Sequence, residues 1–505
     1  MEITSFAFII FFASILLLYY IVPKRWQWGI LLAGSLFYYW IAGSSLLILY
    51  PVLAVTVTWF TTWVMEAAGE EHPRRRTAAL IVEIASLIGV LALLKYIRFG
   101  ETEAGGAAAV ALPLGLSFYT FTLVGYAIDV EDGIARRQKN FFKLLLYGMF
   151  FPTMISGPIQ IYRETGEQLT APHRFDYDRV TKGLQRMVWG FFKKLVISER
   201  AAVLSNTIFD QYDAYPGAYI WFAALMFTIQ LYTDFSGCMD ICIGAAETLG
   251  ITLPENFRQP FFSKTIQEYW QRWHITLGVW MRNYVFYPLL RTPLFMKLSK
   301  TFRKKFGRKA GKDLTNILAM FILWSAVGLW HGGDFKYVIG SGWLHWFYIV
   351  FGMVTLPFFK KVLPKLHIRM EGKGADLFRI LRTFFLVNIG NVFFNAKSAG
   401  DAVKMLRLGV SEWNPQILLN GSLLTLGLDG PDMAVLAVSV AVLFAVSLLE
   451  VLPDRNGKVM NVRDRAALQK LPVRWILYLA LLFFVIVFGN YGPGYSSSAF
   501  IYQGF

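Results

Sequence analysis

The chain has 505 residues, of which 56% are hydrophobic and 16% charged, with a mean hydropathy of +0.47. Soluble domains carry about 25% charged residues, so composition excludes an ordinary water-soluble enzyme. The formal net charge of +16 would suggest nucleic acid in a soluble protein, but here Lys and Arg gather in joints between apolar stretches. That distribution marks the cytoplasmic face of a membrane protein and leaves no role for nucleic acid.

A bilayer core needs about 20 apolar residues per helix, and many such stretches follow one another with short polar joints. An all-α, polytopic membrane protein folded as one domain over residues 1–505 is predicted. The first stretch, Ile3 to Val22, is preceded by Glu2 and followed by Lys24 and Arg25, so it reads as a retained helix with an outer N-terminus. Trp28 to Trp40, Leu46 to Met65, Ala78 to Phe99 and Leu112 to Ile128 then alternate across the bilayer, with Arg74 to Arg76 and Arg136 to Lys139 inside and the acidic joint at Glu101 and Glu103 outside.

Phe141 to Ile161 is apolar but interrupted by Pro152, Gly157 and Pro158, the pattern of a re-entrant or interfacial element. Gly183 to Leu204 and Tyr219 to Phe235 continue the alternation. Cys238 and Cys242 follow in an apolar stretch, where their spacing fits buried thiols better than a disulfide or a metal site. Ile266 to Tyr287 carries Glu268, Arg272 and Arg282, yet Ile266, Tyr269, Trp270, Trp273, Leu277, Trp280 and Tyr284 share one helical stripe. One helix lying along the membrane surface is expected there.

Arg291 to Lys312 holds nine Lys or Arg and no acid, the strongest inside signal in the chain. Leu314 to Trp330 and Tyr337 to Phe359 form an apolar pair joined by His331-Gly332-Gly333-Asp334, and Leu377 to Phe394 leaves again. An outer segment from Ser398 to Gly430 includes an amphipathic piece at Asp401 to Leu408; Met433 to Leu452 and Trp475 to Phe488 complete about eleven spans. The chain shows no fixed-period repeat and no inverted halves, which counts against a transporter or flippase.

Three of the six histidines, His72, His173 and His367, fall in polar joints and read as solvated surface. The other three fall at membrane depth or beside the amphipathic stripe: His331 at a hairpin tip, His345 inside the next helix, and His274 next to Trp273. Ionisable groups there are costly and often functional, although a histidine bonded to a freed carbonyl is an equally good local reading for His331, and a structural role is favoured for His345 and His274. A buried imidazole stays neutral and can take a proton from a hydroxyl attacking a thioester. No HExxH, GxSxG or Walker loop is present, so no metal site is expected and zinc, serine and ATP hydrolysis lack support.

Several segments taken in order carry a resemblance: Phe151 to Pro158, Asp234-Phe-Ser-Gly237, Pro254 to Pro260, Tyr269 to Leu277, Trp280 to Tyr284, Gly328-Leu-Trp-His-Gly332 and the tail Phe500 to Phe505. Together they resemble the membrane-bound O-acyltransferases, particularly the alginate O-acetyltransferase branch. The resemblance implies a ring of helices around a thinned centre, with an inner tunnel and an outer funnel meeting near the histidine of the Trp-His-Gly motif, here His331. It makes His274 the second candidate, with Asp234, Ser236, Asn256, Arg272, Trp273, Arg282, Asn283, Trp330 and His345 as supporting or tunnel residues. Two positions depart from the pattern: Asn283 stands where the family has Asp, and Gln271 where it has Arg.

The implied reaction moves an acetyl group from a cytoplasmic thioester, acetyl-CoA, to an extracytoplasmic polysaccharide or a partner acetyltransferase, at the cell membrane and without a tightly bound cofactor. D-alanyl transfer to teichoic acid is the related alternative. The basic stretch from Arg291 to Lys312 would concentrate an anionic donor.

Overall fold

The computed structural model describes residues 1–43, 45–104, 112–453, 457–491 and 500–501. Part of the basic joint after Leu452 and most of the tail after Phe500 lie outside these residues, as do the side chains of Glu101 and Glu103. Every regular element described is helical, with one isolated antiparallel bridge, between Phe257 and Trp273. A helix satisfies its own backbone hydrogen bonds, which lipid cannot do. Among the described residues, seven helices are long and apolar enough to cross a membrane: Leu46–Ala68, Pro73–Lys95, Arg308–His331, Phe335–Leu366, Lys373–Asn395, Gly430–Val451 and Leu471–Phe488. Phe6–Ile21 is apolar but shorter.

The chain divides into two compact units, the first made of Met1–Val196, Thr233–Glu255 and Arg463–Phe505, the second of Ile197–Tyr232 and Asn256–Val462. In chain order the main helices are α1 (Phe6–Ile21), α2 (Gln27–Ala42), α3 (Leu49–Ala68), α4 (Pro73–Ala104), α5 (Leu116–Glu131), α6 (Phe141–Met149), α7 (Tyr177–Phe191), α8 (Glu199–Asp210) and α9 (Ala218–Thr248). They continue with α10 (Ile266–Arg272), α11 (Ile275–Met281), α12 (Pro293–Phe306), α13 (Arg308–His331), α14 (Leu344–Val362), α15 (Lys373–Asn395), α16 (Ala399–Ser411), α17 (Gly430–Val451) and α18 (Leu471–Phe488).

In the first unit α5 is the central helix: every residue from Leu116 to Ala127 is buried, and it packs on α3, α4 and α6. The α3–α4 pair encloses Glu83, whose two carboxyl oxygens take hydrogen bonds from Thr58 (2.6 Å) and Thr61 (2.9 Å). After α6 the chain makes a single α-helical turn at Phe151–Met154 and runs irregularly to Ile161, and all of residues 144–161 are buried. Irregular backbone at this depth is tolerated where protein surrounds it. His173 is half-buried and anchored, not freely solvated: its backbone N–H donates to Gln27 (2.8 Å), its ring Nε2 lies 2.9 Å from the Gln168 carbonyl, and the ring packs against Gly250.

Four glycines at matching intervals set the closest approach in this unit. A β-carbon on Gly190 would come within 2.6 Å of the Gly237 carbonyl oxygen, and one on Gly183 within 2.6 Å of the Gly244 carbonyl oxygen. With nothing but hydrogen at these positions, α7 and the second half of α9 touch backbone to backbone, the small-residue solution for helices that gain nothing from burying grease in grease.

The second unit holds α8, the first half of α9 and α10 to α17. Thr228 on α9 donates to Asn388 Oδ1 and accepts from Asn391 Nδ2 of α15, each at 2.8 Å, a polar clip between two apolar helices. Ile266 to Tyr287 does not form the single surface helix its stripe suggests. It breaks at His274 into α10 and α11, followed by a π-helical turn at Arg282–Phe286. The buried members of the stripe, Ile266, Tyr269, Trp273, Leu277 and Trp280, face protein.

Replacing Gly190 or Gly237 with Ala should lower the thermal unfolding midpoint in detergent, by overpacking of about 1–3 kcal/mol each. Gly352→Ala, where a β-carbon meets nothing within 4 Å, should leave the midpoint unchanged or raised. Equal tolerance at all three positions would show that the glycine crossing is dispensable.

Candidate active site

His331 is the last residue of α13, buried, and followed by Gly332. The helix can end so tightly because glycines line its return. A β-carbon on Gly328 would stand 2.7 Å from the Val338 Cα, and one on Gly342 would stand 2.6 Å from the Trp324 carbonyl oxygen. The returning arm of the hairpin begins with a π-helical turn at Val338–Trp343 that leads into α14. The His331 ring meets Phe394, near the end of α15, edge to face at 5.5 Å.

Trp330 lies between the two candidate histidines. Its ring centroid is 4.8 Å from that of His331 and 5.6 Å from that of His274. The expected pair therefore shares one indole as a wall, although the two residues are 57 positions apart (331 − 274).

His274 is held by its backbone as much as by its side chain. Its φ of 46° and ψ of 51° are left-handed, a conformation uncommon for any residue except glycine. Asn256 stabilises the break: its Oδ1 accepts from the backbone N–H of Thr276 (3.0 Å) and from the Thr276 hydroxyl (2.9 Å), and lies 3.3 Å from His274 Nδ1. The Asn256 carbonyl also accepts from the Ile275 N–H at 3.0 Å, and Arg258 N–H donates to the Arg272 carbonyl at 2.9 Å. Because Asn256 Oδ1 is an acceptor, the nearby His274 Nδ1 carries the proton and Nε2 keeps its lone pair. Burial pushes the ring down to about 3, so it is neutral at physiological pH.

The supporting residues divide into groups. Asn256, Trp273 and Trp330 belong to the histidine cluster, Trp273 stacking on Tyr269 at 5.6 Å and edge-on to Phe257 at 5.0 Å. Arg272 instead pairs with Glu268 at 2.7 Å on its own helix. Arg282 is exposed and Asn283 half-buried in the π turn, and neither side chain makes a hydrogen bond among the described residues. His345 keeps different neighbours: Trp270 edge-on at 4.9 Å, Trp324 at 5.9 Å and Tyr348 at 6.2 Å. His72 and His367 are exposed.

Asp234 and Ser236 belong to the first unit, where the charges that sequence reasoning passed over are found. Lys194 pairs with Asp234 at 2.6 Å; Lys193 pairs with Asp240 at 2.6 Å and donates to Ser236 at 2.8 Å. Arg186 meets Asp240 at 2.9 Å and grips Glu255 with two bonds of 2.7 and 2.5 Å. Adjacent lysines inside the apolar run from Gly183 to Leu204 were the available signal. No group of three or more His, Cys, Asp or Glu suited to a metal ion occurs among the described residues.

Residues 133–394, which contain both histidines, Trp330 and Asn256, match the model of the MBOAT, membrane-bound O-acyltransferase family. The chain belongs to this family. It is accordingly a membrane acyltransferase. It is 28% identical over 473 residues to a probable alginate O-acetylase AlgI of Pseudomonas syringae pv. tomato, covering 90% of this chain and 83% of that protein. A probable alginate O-acetylase AlgI of Pseudomonas aeruginosa is 30% identical over 421 residues, 80% of this chain and 74% of that one. The teichoic acid D-alanyltransferase of Bacillus subtilis is 29% identical over 288 residues, 56% of this chain and 69% of that one.

Asn256→Ala strands the Thr276 donors and should cost about 1–3 kcal/mol, read as a lower unfolding midpoint in detergent. A second outcome follows from the His274 ring. Its folded pKa lies below the unfolded value, so between about pH 6.5 and about 3 the unfolded chain binds one more proton, and stability falls as pH falls through that window. His274→Asn, which tolerates the left-handed backbone, should flatten the acid side of the midpoint-against-pH curve; an unchanged slope would mean that His274 does not titrate in this way.

Proposed function

We propose that this acyltransferase moves an acetyl group from acetyl-CoA to a hydroxyl of an extracytoplasmic polysaccharide, or to a partner protein that completes the transfer, with His331 as general base. In this reading about eleven crossings enclose an inner path for the donor and an outer path for the acceptor, and the N-terminus lies outside. The two paths meet at His331. The acceptor oxygen attacks the thioester carbonyl, a C–O bond forms and the C–S bond breaks. The imidazole of His331 takes the hydroxyl proton and returns it to the leaving thiolate, so no proton is gained or lost overall.

The observation that carries the reading is the buried His331 at a glycine-lined hairpin end, with Trp330 shared between it and His274. An imidazole ring nitrogen with a free lone pair can accept the hydroxyl proton, and the fixed hairpin supplies the positioning on which acyl transfer depends. His274 supports from the far side of the indole. Acetyl transfer is preferred to D-alanyl transfer because the relative named as an O-acetylase aligns over 90% of this chain, against 56% for the D-alanyltransferase.

His331→Ala, assayed in membranes with labelled acetyl-CoA, should lower polymer acetylation by about 10²–10⁴-fold while the protein remains inserted. Acetylation at the ordinary level would remove His331 from the chemistry. Ester-linked D-alanine in place of acetate on the polymer would transfer the reading to the teichoic acid branch.

A further inference from the structure

A cavity of about 520 Å³ opens between α12 and α13, lined by Leu290, Met296, Ser299, Lys300, Arg303, Lys312, Thr315 and Asn316. Two glycines create it. Gly307, at φ 84°, turns the chain between the helices, and a β-carbon on Gly311 would collide with the Arg303 backbone. The helices therefore close tightly enough to set Lys300 and Arg303 of one opposite Lys312 of the other.

None of these three cations has an ion-pair partner among the described residues. The one acid between Arg291 and Asp313 is Asp313 itself, which does not line the cavity. Ser299 and Asn316 add side chains that hydrogen-bond to nothing else among the described residues, whereas the Thr315 hydroxyl is committed to the Gly311 carbonyl at 2.8 Å. Three cations with two neutral polar groups around one opening suit a phosphate group.

The surroundings favour one source for such a group. The cavity opens at the polar end of Arg308–His331, a helix long and apolar enough to cross a bilayer, and the polar end of such a span is where headgroups would lie. Leu290 and Met296 share its lining, and Leu294 beside it is 64% exposed. Charge and apolar surface side by side match a headgroup with its acyl chains, and a soluble anion would use the charge alone. Basic pockets at helix ends on the positively charged side of a membrane protein are where anionic lipids settle. We infer that this cavity binds the phosphate of an anionic phospholipid from the leaflet facing α12, a site separate from the transfer chemistry.

The test is native mass spectrometry of the full chain in detergent, titrated with phosphatidylglycerol or phosphatidylcholine. The wild type should retain phosphatidylglycerol at least about tenfold more tightly than phosphatidylcholine. K300Q/R303Q/K312Q should lose that preference, while K304Q/K305Q, which removes charge from the same stretch but not from the cavity, should keep it. Size-exclusion profiles compare folding, and K312Q alone, expected to lose part of the preference, serves if the triple variant does not fold. Preference retained in the triple and single variants, or lost equally in K304Q/K305Q, overturns the site. Displacement of phosphatidylglycerol by micromolar adenosine 3′,5′-bisphosphate or inorganic phosphate overturns the lipid assignment in favour of a soluble ligand.

Discussion

A charge removed from water must find its opposite, and in this protein that requirement is met by letting backbones touch. The cost of burying the charges of Lys193, Lys194 and Arg186 inside apolar helices is offset by Asp234, Asp240 and Glu255 at hydrogen-bond distance. Those carboxylates come within reach because Gly183 and Gly190 face Gly244 and Gly237. The glycines have no chemistry of their own, yet they decide whether three buried cations are tolerable.

The same economy of side chain operates at the histidine hairpin. Gly328 and Gly342 let α13 and its returning π turn close, which fixes the end of α13 and with it Trp330 and His331. On the other side, the Pro254 to Pro260 loop lends Asn256 to hold a left-handed His274. A strained residue persists only where its surroundings over-determine it, and four hydrogen-bonding contacts from one asparagine do so. The pair of histidines is thus positioned by two separate devices, one of close packing and one of hydrogen bonding.

Much of the helical framework could be read from apolar runs and joints, because lipid allows so few backbone arrangements. Leu314 to Trp330 and Leu377 to Phe394 fall inside the helices Arg308–His331 and Lys373–Asn395, and the buried irregular stretch after Met149 is marked by its prolines and glycine. Local pattern failed where a distant segment supplied the deciding bond. Ile266 to Tyr287 has an unbroken stripe, and what breaks it is Asn256, ten or more positions upstream and invisible to periodicity. His173 reads as solvated because its partner Gln27 is 146 positions away, and the average of an apolar window conceals Lys193 and Lys194. The two histidines were individually visible in the motifs; that Trp330 lies between them was not, since ring contacts across 57 positions have no local signature.

The π-helical turns at Phe192–Ser198, Arg282–Phe286 and Val338–Trp343 each place one surplus residue in a helix. A surplus residue shifts everything after it by about 100° around the axis. For the last of these turns, the orientation of the His345 ring toward Trp270 is therefore set by the residue count between Gly333 and Trp343, not by the chemistry of any of them. Relatives that keep every side chain of this stretch but differ by one in its length would present a different face of α14 to the same partners.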